Sequence, residues 1–397
     1  MEMIENNPGF CCTAIQFANR EAIQQLCSSM EGKKVVLVMS KTAAVRHQWE
    51  DTIRQLQTGC DLLWIEENVA YPTQQTLLMG IEKVREFEAD VILAIGGGSS
   101  IDFAKGLKAF WGVRREWFQE YFSQENASQG NDVQEQFFLE KITEYLSKKK
   151  IDIGKGVEII AVPTTAGTGS ELTQWATIWD YQKNCKYSLD HPALKPDQAL
   201  ILPELTIKAD IPLTIATGLD SLSHAVEAYW SKKTNPLVRS LACQSIKTTV
   251  TYLSGILRDP ENLIYREKQC LASVLSGLAF SATRTTACHS ISYSLTMDYH
   301  IPHGIAVAMT LAQVAERNRG AYLEEELLDC FRPYRSIGEY LRTVCGGRVS
   351  LCLKDYGVKQ EDIPVIAGKS FTLGRMDNNP VELTLQDVEE ILKEIIE

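Results

Sequence analysis

The chain has 397 residues, 45% of them hydrophobic and 23% charged, with a formal net charge of −11 and an isoelectric point near 5.2. The length suits two domains, the acidic balance argues against nucleic acid as a partner, and no apolar run reaches the roughly 18 residues that a membrane helix needs. Eleven cysteines without paired spacing, Cys11 beside Cys12 among them, and an acidic start that lacks a secretory apolar region predict reduced thiols and a cytoplasmic protein.

In chain order, residues 33–40 read as a short buried strand, 43–56 as a helix and 60–65 as a second strand. Residues 74–87 read as a helix, and 90–95 and 157–162 as further strands. Strands alternating with helices imply a parallel sheet covered on both faces. Residues 113–152 are polar and charged, with Asn126, Ser128, Gly130 and Asn131 in a loop-like centre, and predict a surface excursion. From about Ala209 the pattern turns helical, with periodic stretches near 216–231, 237–258, 262–281, 305–317, 335–346 and 384–396. The expected architecture is an α/β domain over 1–205 followed by an all-α domain over 206–397.

Two strand exits carry chemistry. The first is Gly96-Gly-Gly-Ser-Ser-Ile-Asp102, which leaves a strand and opens a helix. Glycines let the backbone approach an anion, and a helix N-terminus offers free N–H groups at its positive end. A pyrophosphate suits it; a plain tight turn is the competing reading. The second exit, Pro163-Thr-Thr-Ala-Gly-Thr-Gly-Ser-Glu171, is rich in hydroxyls that suit a ribose or carboxamide, or that simply cap the next helix. Two exits at the carboxyl ends of strands in one sheet point to a dinucleotide crevice.

The helical half holds a candidate metal set. Asp220 and His224 are four apart in Gly218-Leu-Asp-Ser-Leu-Ser-His224 and share a helix face. His289 and His303 are joined by one helix and a turn ending Pro302-His303-Gly304, a connection that can return them to the first pair. One carboxylate and three imidazoles suit Fe(II) or Zn(II). His300 is the rival to His303; His47 reads as solvated, His191 as a turn residue and Cys288 as a buried inert thiol.

Together these motifs, with Asn378-Asn-Pro380 near the end, resemble the iron-containing (group III) alcohol dehydrogenase family over roughly residues 30 to 395. The resemblance implies the dehydroquinate synthase-like fold of that family. It implies a metal held by Asp220, His224, His289 and His303. It places the pyrophosphate of NAD(H) or NADP(H) on Gly97, Gly98 and Ser99, with Asp102, Thr164, Thr165 and Thr168 near ribose and nicotinamide. It also implies a small aldehyde or alcohol substrate, neutral or anionic, and a homodimer.

Two departures from the family pattern matter. Tyr293 stands where many members carry a proton-relay histidine, so the proton route passes through water, a ribose hydroxyl or Tyr293, or else Tyr293 is packing. Ser40 stands where many carry an aspartate that repels a 2′-phosphate, which leaves the choice between NAD(H) and NADP(H) open. The stretch Thr283-Arg-Thr-Thr-Ala-Cys-His-Ser-Ile-Ser-Tyr293 looks like the phosphonoacetaldehyde reductase branch. Reduction of that aldehyde to 2-hydroxyethylphosphonate needs cations and hydroxyls for the phosphonate. Arg284 is the candidate cation, with Ser290 and Lys195 as further candidates. The alternatives are a short-chain alcohol or diol dehydrogenase and, in another class, a non-catalytic nucleotide or metal sensor.

Overall fold

The computed structural model describes residues 13–67, 70–123, 131–148, 156–181, 183 and 185–397. They form two compact units: one runs to Thr164 and includes Ser170–Lys208, and the other contains Thr165–Gly169 and Ala209–Glu397.

The first unit contains, in order, β1 (Ala14–Phe17), α1 (Ala22–Ser29), β2 (Lys34–Val38), α2 (Lys41–Arg46), α3 (Glu50–Gly59), β3 (Asp61–Ile65), α4 (Gln74–Lys83), β4 (Val91–Gly96), α5 (Gly98–Ala109), α6 (Arg114–Ser123), α7 (Asn131–Lys148), β5 (Glu158–Pro163), β6 (Trp175–Asp180), β7 (Cys185–Asp190), β8 (Gln198–Ile201) and α8 (Pro203–Thr206). Six strands make one parallel sheet in the order β1-β8-β5-β4-β2-β3. The apolar runs of β2, β4 and β5 are continuous because both faces are covered. Val36, Val38, Ile92, Ala94, Ile159 and Ala161 join one core. Their neighbours Val35, Leu37, Leu93, Ile95, Ile160 and Val162 join the other, as a strand's period of two requires. From β2 the chain moves outward to β3, and from β4, on the other side of β2, it moves the opposite way to β5, so the exit at Gly96 lies at a switch point, where open α/β sheets bind ligands.

Three sequence expectations change here. The helix expected over 43–56 is two helices, because Gln48 adopts a left-handed φ of 57° and turns the chain so that Trp49 drops into the core. The polar stretch 113–152 is not a surface excursion: Phe118 and Tyr121 of α6 and Phe138, Ile142 and Leu146 of α7 pack into the sheet's core. Its expected loop centre at Asn126, Ser128 and Gly130 lies outside the described residues. β1, β8 and the antiparallel hairpin β6–β7 add strands that no long apolar run announces.

The second unit is helical: α9 (Ile211–Trp230), α10 (Pro236–Arg258), α11 (Leu263–Thr283), α12 (Ala287–Tyr299), α13 (His303–Arg317), α14 (Glu324–Asp329), α15 (Ile337–Cys345), α16 (Ile363–Lys369) and α17 (Leu385–Glu394). The caps explain the boundaries. Asp210, Asn235 and Asn262 each accept a backbone N–H of the first turn, and prolines open α9 and α10. α9 packs against α10, α11 and α13 and is buried on almost every side from Thr214 onward, which is why its sequence is apolar all round. Among the described residues, no helix is long and apolar enough to cross a membrane.

Candidate metal and cofactor site

Asp220 and His224 lie one turn apart on α9, and α12 brings His289 to them. One ligand atom from each of the three lies within 4.8 Å of the others, and all three residues are buried. Asp220 Oδ1 is 3.8 Å from His224 Nε2 and 3.6 Å from His289 Nε2. The remaining ring nitrogens fix what these atoms present. His224 Nδ1 donates to the Gly167 carbonyl at 3.3 Å, and His289 Nδ1 donates to Glu227 Oε2. In their neutral forms both rings therefore turn an Nε2 lone pair towards the Asp220 carboxylate.

Lone pairs converging on a carboxylate repel each other unless a cation lies among them. Asp220 Oδ1 and His289 Nε2 are buried and have no hydrogen-bond partner. Such an atom costs about 1–3 kcal/mol when left unsatisfied, so the donor set fits a borderline divalent metal. The electrostatics agree. Burial opposes ionisation of Asp220, but the surrounding imidazoles outweigh it and hold the carboxyl down at about 2. Burial pushes His224 down to about 4, leaving it neutral. Burial also opposes charge on His289, yet Glu227 and Asp220 raise it to about 9. A metal therefore displaces a proton there.

His303 opens α13 and is a ring neighbour of this triad, edge-on to His289 with centroids 5.4 Å apart. Tyr293 lies parallel to His303 at 6.2 Å. Phe280 stacks on His224 at 4.0 Å. His300, the rival, ends α12 in a left-handed conformation on the surface.

In the α/β unit, Gly97 caps α5 and Gly98 and Ser99 form its first turn. Thr164 N–H donates to the Gly96 carbonyl, so both strand exits lie side by side. Ser40 caps α2 by accepting from Ala43 N–H. Asp102 serves as a hub between elements of this unit. Its carboxylate accepts from Ser170 Oγ and from Thr177 N–H and lies 3.8 Å from the fully buried Lys105 ammonium. Thr165 and Thr168 belong with the helical unit. There a Cβ on Gly167 would meet the Thr217 carbonyl oxygen at 2.2 Å. The glycine thus lets its own carbonyl reach His224.

The family model for iron-containing alcohol dehydrogenases matches residues 15–203, and that for the C-terminal part of the same family matches residues 214–347. This chain belongs to the iron-containing alcohol dehydrogenase family. It is 27% identical to the NADPH-dependent butanol dehydrogenase of Clostridium saccharobutylicum over 95% of each chain. It is 28% identical to the 1,3-propanediol dehydrogenase of Citrobacter freundii over 94% of each. Among solved structures it resembles the sulfoacetaldehyde reductase from Bifidobacterium kashiwanohense, in complex with NAD+, with a TM-score of 0.81 and 25% identity, covering 97% of each chain. As a family member it is an alcohol or aldehyde oxidoreductase with a nicotinamide cofactor, and its fold is the parallel-sheet unit plus helical unit seen in these relatives.

Two other expectations for this alcohol dehydrogenase are corrected, those for Ser290 and His47. Ser290 is not available to a substrate: its hydroxyl is fully buried, donates to the Ser370 carbonyl and accepts from Thr372 N–H. Lys195 is buried at the end of a short 3₁₀ turn of the α/β unit, where His191 caps that turn. His47 is buried rather than solvated, and burial with nearby Arg46, Lys208 and Arg20 pushes it down to about 4. Cys288 is fully buried, and burial raises its thiol well above the usual range, which keeps it inert.

Arg284 ends α11 with a left-handed φ of 67°. Asn378 grips the carbonyls on both sides of it, donating to Thr283 and Thr285. Glu227 is the residue that sequence reading missed. It lies three positions after His224, and a second carboxylate one turn beyond the candidate ligands on the same buried helix was the available signal.

Proposed function

We propose that this protein reduces a short aldehyde with an anionic head group, phosphonoacetaldehyde to 2-hydroxyethylphosphonate, using NADH or NADPH. The observation that carries the substrate class is the backbone of Arg284. Its φ of 67° with an extended ψ of 176° is a combination essentially confined to glycine and costs another residue about 1–3 kcal/mol, yet Asn378 clamps this arginine in it, five residues before His289. Strain of this kind persists where the surrounding structure over-determines it, and such residues cluster at active sites and ligand clamps. The likeness to a sulfoacetaldehyde reductase supports the reading, because that substrate is also named as a short aldehyde with an anionic group.

In this proposal Asp220, His224, His289 and His303 hold Fe(II) or Zn(II), and Gly97, Gly98 and Ser99 face the pyrophosphate. When bound, the metal supplies Lewis-acid stabilisation of the developing alkoxide and the nicotinamide supplies the hydride. The protein's own part is orientation and exclusion of water. Gly167 and Glu227 point both Nε2 lone pairs inward, and Phe280 covers one face of His224. Arg284 binds the phosphonate as a charge-assisted donor. Tyr293, parallel to His303, either hands a proton to the product or walls the site. Tyr293→Phe separates the two, because only a donor role lowers kcat without raising KM.

The test is oxidation of NADH and NADPH with Fe(II) or Zn(II) added, comparing phosphonoacetaldehyde with propionaldehyde in wild type and Arg284→Ala. The expected result is a KM for the phosphonate at least tenfold higher, with the neutral aldehyde unchanged. Equal effects on both would overturn the phosphonate assignment and favour the short-chain alcohol or diol reading that the butanol and propanediol relatives suggest. No turnover with either metal on any aldehyde would favour a sensor.

A further inference from the structure

We infer that Glu227 is the positioning residue of the metal centre: one buried carboxylate decides which nitrogen of His289 faces Asp220 and also seats the start of the helix that carries His289. The inference rests on the metal reading of the cluster. Glu227 belongs to α9, on the turn after His224, and is fully buried. One oxygen accepts from Thr286 N–H at 3.0 Å, Thr286 Oγ at 2.7 Å, Cys288 N–H at 2.9 Å and His289 N–H at 3.3 Å. The other accepts from His289 Nδ1.

The first set of bonds is a helix cap supplied from another helix. Thr286 holds the N-cap position of α12 but its side chain caps nothing. Its hydroxyl donates to Glu227 and accepts from Trp230 Nε1 at 2.9 Å. A cap alone does not need a carboxylate from α9, since a serine or aspartate at 286 would serve locally. What only a glutamate at 227 provides is a second oxygen that reaches Nδ1. A carboxylate can only accept, so Nδ1 must carry a hydrogen, and in the neutral ring that a metal needs it is Nε2 that carries the lone pair. Carboxylate partners of this kind set ring orientation and ligand basicity at metal sites.

In Glu227→Gln the amide oxygen can keep accepting from Thr286 and Cys288, so the cap survives. The amide NH2 then faces Nδ1 as a donor and drives the hydrogen to Nε2, where it points at Asp220 in place of the lone pair. Thr286→Ala is the complementary variant: it removes a cap hydroxyl and leaves the His289 bond in place.

The experiment is titration of metal-stripped protein with Zn(II) and Co(II), following bound metal by elemental analysis and the Co(II) absorption band, with thermal melting of each metal-free variant. Expected are a Kd about 10- to 100-fold weaker for Glu227→Gln with a metal-free melting curve close to wild type, and an unchanged Kd with a lower melting temperature for Thr286→Ala. A wild-type Kd in Glu227→Gln overturns the inference. Should that variant fail to fold, the ring 15N spectrum of the zinc-loaded wild type decides: hydrogen on Nδ1 of His289 supports the inference, and hydrogen on Nε2 overturns it. Failure of the wild type itself to bind either metal would instead remove the metal reading beneath it.

Discussion

Gly304 lies directly against Ala216: a Cβ on Gly304 would stand 1.9 Å from the Ala216 carbonyl oxygen and 2.9 Å from Asp220 Cβ. This contact lets α13 approach α9 closely enough for His303 to neighbour the ligands of α9 and α12. Backbone cannot step aside as a flexible side chain can. Gly304→Ala is therefore expected to cost about 3 kcal/mol or more, the upper end of overpacking, and to lose bound metal as Asp220 is displaced. Thermal melting and metal content check it; a melting curve like wild type with full metal would refute the close-packing argument.

Arg284 offers a separation of stability from function. Glycine adopts a left-handed φ without strain, so Arg284→Gly should melt at or above the wild-type temperature despite losing a side chain. The same variant should lose affinity for phosphonoacetaldehyde. A destabilised Arg284→Gly would show that the guanidinium serves the fold, for it also lies against the loop at Gly374.

His47 gives a pH dependence with a defined sign. Its folded value of about 4 lies below the ordinary 6.5, so the native state binds this proton less readily than the unfolded chain. Its stabilisation is complete above about pH 6.5, and falls as the pH drops to about 4, by roughly 3 kcal/mol in total. His47→Gln should flatten the wild-type stability curve within that window and leave it alone above pH 7. Denaturant melts of both proteins from pH 4 to 8 measure the difference, and parallel curves would refute it.

Lys105 is fully buried, 3.8 Å from Asp102, and donates to Ser170 Oγ, Thr173 Oγ and the Trp175 carbonyl. Removing one partner of a buried pair leaves the other charge uncompensated, which costs about 3–5 kcal/mol. Lys105→Met should therefore unfold at much lower denaturant, and adding Asp102→Asn should recover part of the loss. Strict additivity of the two losses would show that the pair is not coupled.

The sheet strands β2 to β5, the long helices of the second half and the triad Asp220, His224 and His289 were legible in the sequence. His289 was read from the co-occurrence of family motifs, whereas the strands and helices rest on local periodicity and the Asp220–His224 pair on the spacing of one helix. The glycine-rich exit was legible for the same reason, since a strand, three glycines and a helix follow one another directly. The edge strand β1 was not, because it is only four residues long and mostly exposed, so no buried apolar run marks it. Nor was the packing role of α6 and α7, whose aromatic residues are diluted by charged ones.

Residue types and their order thus settled the family and the candidate ligands. Tertiary structure alone decided how polar groups pair. Nothing in the chain near Asp102 announces Ser170 and Thr177 as its partners, Ser290 is taken by Ser370 and Thr372 some eighty residues away, and Glu227 meets a turn sixty residues further on. Hydrophobic periodicity is written along one element and can be read there. A hydrogen bond between distant side chains depends on where two elements cross, and that crossing exists only once the chain has packed.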